Sequence, residues 1–539
     1  MRLALAVILL TACGGSDEKL PTGPIAATMT DYDLTIDLDS RATHAKVTAT
    51  ITEAGDCWQL PFRGGAPTKV TMNGKTAEAS VDGTTITACG AGFTTDKPLV
   101  LELDHTIQLT TLATTDVGFT AKTDADHNAY DYLLSWINEC DRFTPCDNRP
   151  DQFAHYHYDV THAAGTTARC PGIVTDVSAT ETTCDFQFDG GPTYSTFGVI
   201  ASAAWTPSDL GTWAGVHVTL YDRASTGVAA AIDPTYHTGY LTWMQSMLGP
   251  WPYGSELRVL TAPTYWDGFE HPGNIVLSDG LAHERGSYKK PVEHVLDHEM
   301  AHMWAGDQTT LAGTYDFMWK ESMAEYFAYA YEDMMDPTAA PATLGYWKAA
   351  SAAAAFYPVP GDKPALVDYY GDAYGPGPMV LFRQLEVLTS RDQVLAAIKS
   401  VLGHQHALSV DDVVAALAQS TGLDLTAYSA AWIHGSGKPA WPTVQVSYTP
   451  GTGTGTLSVT QVTSTDKRCK FHVALDGDQA GQQTLVAVDT FRDGLMQAIP
   501  VATPSYPVTN IVLDPLGECL VYGAAFVAPA RFNPWQAQR

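Results

Sequence analysis

The sequence predicts a multidomain α+β protein, with an N-terminal β-sheet domain, a mainly helical middle and a C-terminal β-sandwich. Three observations carry that reading. The chain has 539 residues, too many for one ordinary hydrophobic core. Hydrophobic residues make up 45% and charged residues 17%, the balance of a folded globular protein. The apolar periodicity changes twice along the chain, from about two residues to about 3.6 and back.

Residues 1–12 read as an export signal. Met1-Arg2 is a short basic start, and Leu3 to Leu10 is an apolar run too short to span a bilayer. The run ends Leu10-Thr11-Ala12-Cys13, which resembles a bacterial lipoprotein signal. That resemblance implies cleavage before Cys13 and lipid on its thiol and new amino group. Residues 13–25, polar after Cys13, read as a tether. The expected address is the bacterial cell envelope, with the chain held to a membrane through Cys13 and facing the periplasm or the exterior. Of nine cysteines, eight then remain, and an even number suits an oxidising compartment. They fall as neighbours: Cys57 with Cys89, Cys140 with Cys146, Cys170 with Cys184, Cys469 with Cys519. Local pairing is the simplest connectivity.

Residues 26–205 read as the β domain. "DYDLTIDLD" alternates polar and apolar residues, and Asn73-Gly74 and Asp82-Gly83 separate short β-prone runs; both dipeptides favour tight hairpin turns. Residues 206–436 change character. In "PMVLFRQLEVL" Leu381, Leu385 and Leu388 share a helical face, and "SVDDVVAAL" from Ser409 starts like a capping box. Residues 437–539 return to alternation, with Val444, Val446 and Tyr448 on one side of a strand. The net charge of -29 repels phosphate backbones and argues against nucleic acid as a partner.

The chemistry sits in the middle segment. His298-Glu299-Met300-Ala301-His302 places two histidines at i and i+4, so one helix face presents both imidazoles to a single ion, with a carboxylate beside them. A catalytic zinc normally takes three protein ligands. Glu321 follows His302 after an eighteen-residue gap, in "MWKESMAEYFAYAYED", and is the favoured third ligand; Glu325, one turn later, competes.

H-E-x-x-H, that gap and then Glu resemble the zinc site of the M1 metallopeptidases, the aminopeptidase N and leukotriene A4 hydrolase family. Trp304 and Gly306 match the flanking pattern, while Asp307 stands where Asn is usual. Upstream, Asp267-Gly268-Phe269-Glu270-His271 is similar to the family's G-x-M-E-N, with Phe269 for Met, His271 for Asn and Asp267 for Gly. Downstream, "AYGPGPMVL" resembles Y-x-K-G-A-x-V-L and aligns Tyr374 with the family's tyrosine.

The resemblance implies a thermolysin-like zinc catalytic domain with one zinc per chain on His298, His302 and Glu321. It implies Glu299 as general base and Tyr374 as donor to the oxyanion. Glu270 would accept the substrate's α-ammonium, with Gly268 and Phe269 shaping its surroundings. Glu139, in "NECDRFTPCDNRPDQF", is similar in place to a second carboxylate that reaches the site from the N-terminal domain. The expected activity is removal of N-terminal residues from peptides with a free amino end. An endopeptidase follows if the departures around Glu270 abolish amine capture. A peptide-binding surface lipoprotein is the non-catalytic alternative, though a pure binder has no need of Glu299.

Overall fold

Alternation of apolar residues gives the N-terminal part its sheet. The computed structural model describes residues 20–525 apart from 114, 287 and 464, so the signal segment and Cys13 lie outside the described residues. Strand β1 (Pro24–Asp37) buries Tyr32, Leu34 and Ile36 and pairs in parallel with β2 (Phe153–Thr161) within an 11-stranded sheet. The two predicted turns are present: Asn73 and Gly74 take φ +48 and +72 between paired strands, and Gly83 takes φ +59. A four-stranded sheet, Gly118–Thr123, Ala129–Leu134, Thr167–Arg169 and Gly198–Ser202, lies beside it in the same region.

A five-stranded sheet opens the middle segment, in the order Thr206–Trp213, Val216–Asp222, β3 (Glu256–Ala262), β5 (Asn274–Ser278), β4 (Gly268–His271). Its centre is parallel and β4 is an antiparallel edge strand. Helix α1 (Pro291–His302) packs on β4 and β5 and against helix α2 (Phe317–Met335). Every residue from Val292 to His302 is buried, which makes α1 the centre of the molecule rather than an amphipathic surface helix.

The capping box is formed as expected. Ser409 accepts from the Asp412 amide and Asp412 returns the bond, heading the helix Val410–Thr421. The predicted run through Leu381, Leu385 and Leu388 is helical but contains a π turn at Met379–Arg383. All three leucines are buried. π turns occur mostly as single turns within α-helices, frequently at functional sites, and this one follows Tyr374 closely.

The last segment forms a four-stranded and a three-stranded sheet, the expected sandwich. The four expected disulfides are formed: Cys57–Cys89, Cys140–Cys146, Cys170–Cys184 and Cys469–Cys519. Among the described residues no helix is long and apolar enough to cross a membrane.

Lys467 joins the sandwich to the catalytic segment. Its ammonium lies 4.8, 5.1 and 5.4 Å from the ring centres of Tyr357, Trp432 and Trp441 and donates to the Ala431 carbonyl. Burial lowers its pKa from 10.5 to about 8. The unfolded chain therefore holds a proton on this lysine that the folded chain lacks between those values, so the Lys467 contribution to stability rises with pH across that window. The stability difference between wild type and Lys467→Met, measured by denaturant, should shift in favour of the wild type from about pH 8 to about pH 10.5. A difference that does not change with pH would contradict this.

Candidate metal centre and active site

Helix α1 buries six ionisable side chains: Glu293, His294, Asp297, His298, Glu299 and His302. Such groups need partners in a low-dielectric interior, and those partners fix the helix. Asp297 pairs with His237 at 2.8 Å. His294 lies between Glu325 at 2.9 Å and Glu332 at 2.8 Å. Burial pulls the His294 pKa down, but Glu332 and then Glu325 outweigh it and raise it to about 10. His294 is thus an imidazolium clamped between two carboxylates.

On the next turn, His298 and His302 converge. Their Nε2 atoms are 3.0 Å apart, and Glu321 Oε2 of α2 lies 3.3 and 3.5 Å from them. Zinc–nitrogen bonds of about 2.0–2.1 Å imply donor separations of about 3.3–3.4 Å in a tetrahedral site. The three donors therefore fit one zinc ion. His302 Nδ1 donates to the Ala305 carbonyl at 3.0 Å, which leaves the Nε2 lone pair for metal.

Glu325 is not part of this set. It accepts from His294, from the Tyr288 hydroxyl at 2.5 Å and from the Trp347 indole at 3.3 Å, with Oε1 3.9 Å from His298 Nδ1. It stands behind the histidine ligand.

Glu299, Glu270 and His302 form a second close group, with donor atoms all within 4.8 Å of one another. Glu299 Oε2 is buried without a hydrogen-bond partner. Burial, then the charges of Glu270 and Glu321, push its pKa well up. Gly268 makes this placement possible, because a Cβ there would lie 2.7 Å from the Glu299 carboxyl carbon and 2.8 Å from its Cγ. The Tyr374 hydroxyl donates to Glu321 Oε2 at 2.8 Å and shares a hydrogen bond with Tyr370 at 2.5 Å. Its ring stacks on His298.

Strand alternation puts Glu270 on the face of Gly268, and Phe269 with His271 on the other. Phe269 is accordingly buried against Trp266 and His271. Two departures from the family pattern meet at one place. The His271 imidazole bonds the Ser195 carbonyl, and the Ser195 hydroxyl donates to Asp307. Tyr194 donates to the Gly306 carbonyl at 2.6 Å. His271 and Asp307 thus form the seam between the N-terminal sheets and the zinc helix. Asp267 stays apart from it, with its pKa pushed well up by burial and by Glu284.

Glu139 is held by cations of the N-terminal segment: its carboxylate pairs with Arg63 Nη1 at 2.7 Å and with Arg142. Two guanidiniums already neutralise it, so it offers little to an incoming ammonium. Its neighbour Trp136 does approach the site and packs on Trp266 and Tyr370.

Lys320 is the residue that sequence reasoning missed. Its ammonium bonds Glu270 Oε1 and Glu321 Oε1, each at 2.7 Å. Burial lowers its pKa, but Glu270 and then Glu321 outweigh that and raise it. Glu270 is held below the usual carboxylate range, because Lys320 and then His302 outweigh the effect of burial.

Residues 250–358 match the sequence profile described as the peptidase family M1 domain. The segment that carries the zinc helix is thus similar to the M1 peptidase domain. The match spans α1, Glu321 and Glu270 but stops short of Tyr374. No curated protein matches the chain. Among solved structures, it resembles Legionella pneumophila aminopeptidase A in complex with aspartic acid, with a TM-score of 0.70 and 15% identity over 95% of this chain. The chain spans 61% of that enzyme's length. It also resembles the M1 zinc metallopeptidase from Deinococcus radiodurans (TM-score 0.62, 19% identity, 77% of this chain and 95% of that one). A mutant of the Deinococcus enzyme bound to a Tyr-Ser-Ala substrate gives a TM-score of 0.61 at 18% identity, over 77% of this chain and 96% of that one. At these identities the likeness is one of fold. The M1 family implies zinc, and the donor set here fits it.

The ligand assignment predicts opposite behaviour for the two candidate glutamates. After dialysis against a weak chelator, Glu321→Ala should lose zinc and Glu325→Gln should keep it, as read by elemental analysis. Zinc retained by the first variant and lost by the second would reverse the assignment.

Proposed function

We propose that this protein is a zinc aminopeptidase that removes single residues from the free amino end of peptides. The observation that carries the reading is Glu270, a charged carboxylate grouped with Glu299 and His302 at the edge of the metal centre. His298, His302 and Glu321 would hold the metal. Bound there, zinc would supply Lewis acidity, the property by which it polarises carbonyls and acidifies water.

The protein's own side chains account for the remaining work. Glu299, buried and with one oxygen unpartnered, accepts a proton from the attacking water and passes it to the leaving amine. Tyr374 brings a hydroxyl donor to the same centre, where a preplaced donor to a developing oxyanion contributes on the order of 10²–10³ in rate. Glu270 receives the α-ammonium through charge-assisted hydrogen bonds. Fixing that end would set the first peptide bond beside His298, His302 and Glu321, the residues that would hold the metal. Burial of Glu299, Glu270 and Glu321 strengthens each of these interactions by excluding water.

We also propose that the protein works in the bacterial cell envelope, anchored by lipid on Cys13. The Leu10-Thr11-Ala12-Cys13 run supports this, and four disulfides suit an oxidising compartment.

The test uses zinc-loaded protein, truncated after Cys13, and one peptide in free and N-acetylated forms, with products read by mass spectrometry. Stepwise loss of single residues from the free form is expected, with Glu299→Gln keeping zinc but losing turnover. Internal cuts in both forms would replace this reading with an endopeptidase.

A further inference from the structure

The ammonium that already touches Glu270 belongs to the protein. Lys320 Nζ sits 2.7 Å from Glu270 Oε1 and 2.7 Å from Glu321 Oε1, and 3.5 Å from His302 Nε2. Its side chain is only 3% exposed. The position is built. Gly306, at φ +139, gives way to the lysine stem: a Cβ there would lie 2.8, 3.0 and 3.1 Å from Lys320 Cε, Cγ and Cδ. Tyr194 closes the slot, donating to the Gly306 carbonyl and placing its ring 6.0 Å from Nζ. Glu321 divides its two oxygens, Oε2 toward the histidines and Tyr374, Oε1 toward Lys320. Lys320 and a metal ion can therefore be held at once.

We propose that Lys320 is a specificity-determining residue: its fixed ammonium shares Glu270 with the substrate's α-ammonium and keeps the affinity of the site for free amino ends low. This rests on the reading of Glu270 as the amine acceptor. A carboxylate has room for more than one donor, so Glu270 still receives a substrate, but it does so beside a second positive charge. Two unit charges about 5 Å apart in a partly buried site repel strongly enough to change affinity by on the order of tenfold or more. The substrate class that follows is peptides with a free amino end, bound weakly, and released amino acids that inhibit little. The preference for a charged over an uncharged amino end is correspondingly smaller than Glu270 without Lys320 would give.

The experiment measures binding rather than turnover. Zinc-loaded protein carrying Glu299→Gln to block turnover, with Lys320 intact or replaced as Lys320→Met, Lys320→Gln or Lys320→Arg, is titrated calorimetrically with leucine amide and with N-acetyl-leucine amide, after zinc content is confirmed for each. Lys320→Gln keeps hydrogen-bond donors without charge, so it serves if Lys320→Met fails to fold or to hold zinc. The expected result is tenfold or more tighter binding of leucine amide in the neutral variants, with N-acetyl-leucine amide unchanged and Lys320→Arg like the wild type. In kinetics on a free peptide, with Glu299 intact, KM should fall with kcat little changed. An unchanged or reduced preference for leucine amide in the neutral variants would overturn the proposal and leave Lys320 as a structural counter-ion. Glu270→Gln separates the underlying reading: if it leaves leucine amide binding unaltered, Glu270 is not the amine acceptor, whatever Lys320 does.

Discussion

The structure depends on one constraint, the burial of six ionisable side chains on the single helix Pro291–His302. Charged and polar groups removed from water must find partners, and most of the partners here lie on two neighbouring helices. His237 comes from the helix Pro234–Leu248. Glu325, Glu332 and Glu321 come from α2. These pairings fix the rotation and depth of the zinc helix. Breaking one partner of such a buried pair generally costs about 3–5 kcal/mol, so the donors of the metal centre are set before any metal arrives.

The seam with the N-terminal sheets belongs to the same network. Ser195 reaches both His271 and Asp307, and Tyr194 reaches Gly306. This explains two departures from the family pattern as a matched set: an imidazole and a carboxyl that engage a serine of the neighbouring sheet region. Gly306 and Gly268 serve the site in the same way, each leaving the space into which Lys320 or Glu299 extends. The catalytic centre is thus packed from several sides, with glycine where a side chain must pass.

Much of this was legible in the sequence. Histidines at i and i+4 must share a helix face, and the segment holding Glu321 was itself helical in pattern, so the triad could be read before it was seen. Asn73-Gly74 fixed its turn through backbone sterics alone. The central sheet was harder, because strands such as Glu256–Ala262 are buried on both faces and show an apolar run without alternation. The partners of Glu139 were hidden for a different reason: it pairs with Arg63 and Arg142, and a long-range ion pair such as that with Arg63 leaves no local pattern. Lys320 was missed because neighbouring residues on a helix diverge by about 100°. Only its long stem, laid across Gly306, brings the ammonium back to the face of the metal ligands.

The account stands or falls on where the metal sits. The measurement that tests it is a crystal structure of the zinc-loaded protein with diffraction data collected on both sides of the zinc absorption edge. The account predicts one anomalous peak bounded by His298 Nε2, His302 Nε2 and Glu321 Oε2, with His294 still paired to Glu325 and Lys320 still on Glu321 Oε1. A peak elsewhere, or a metal that draws Glu325 or Glu270 into its ligand set, would contradict it.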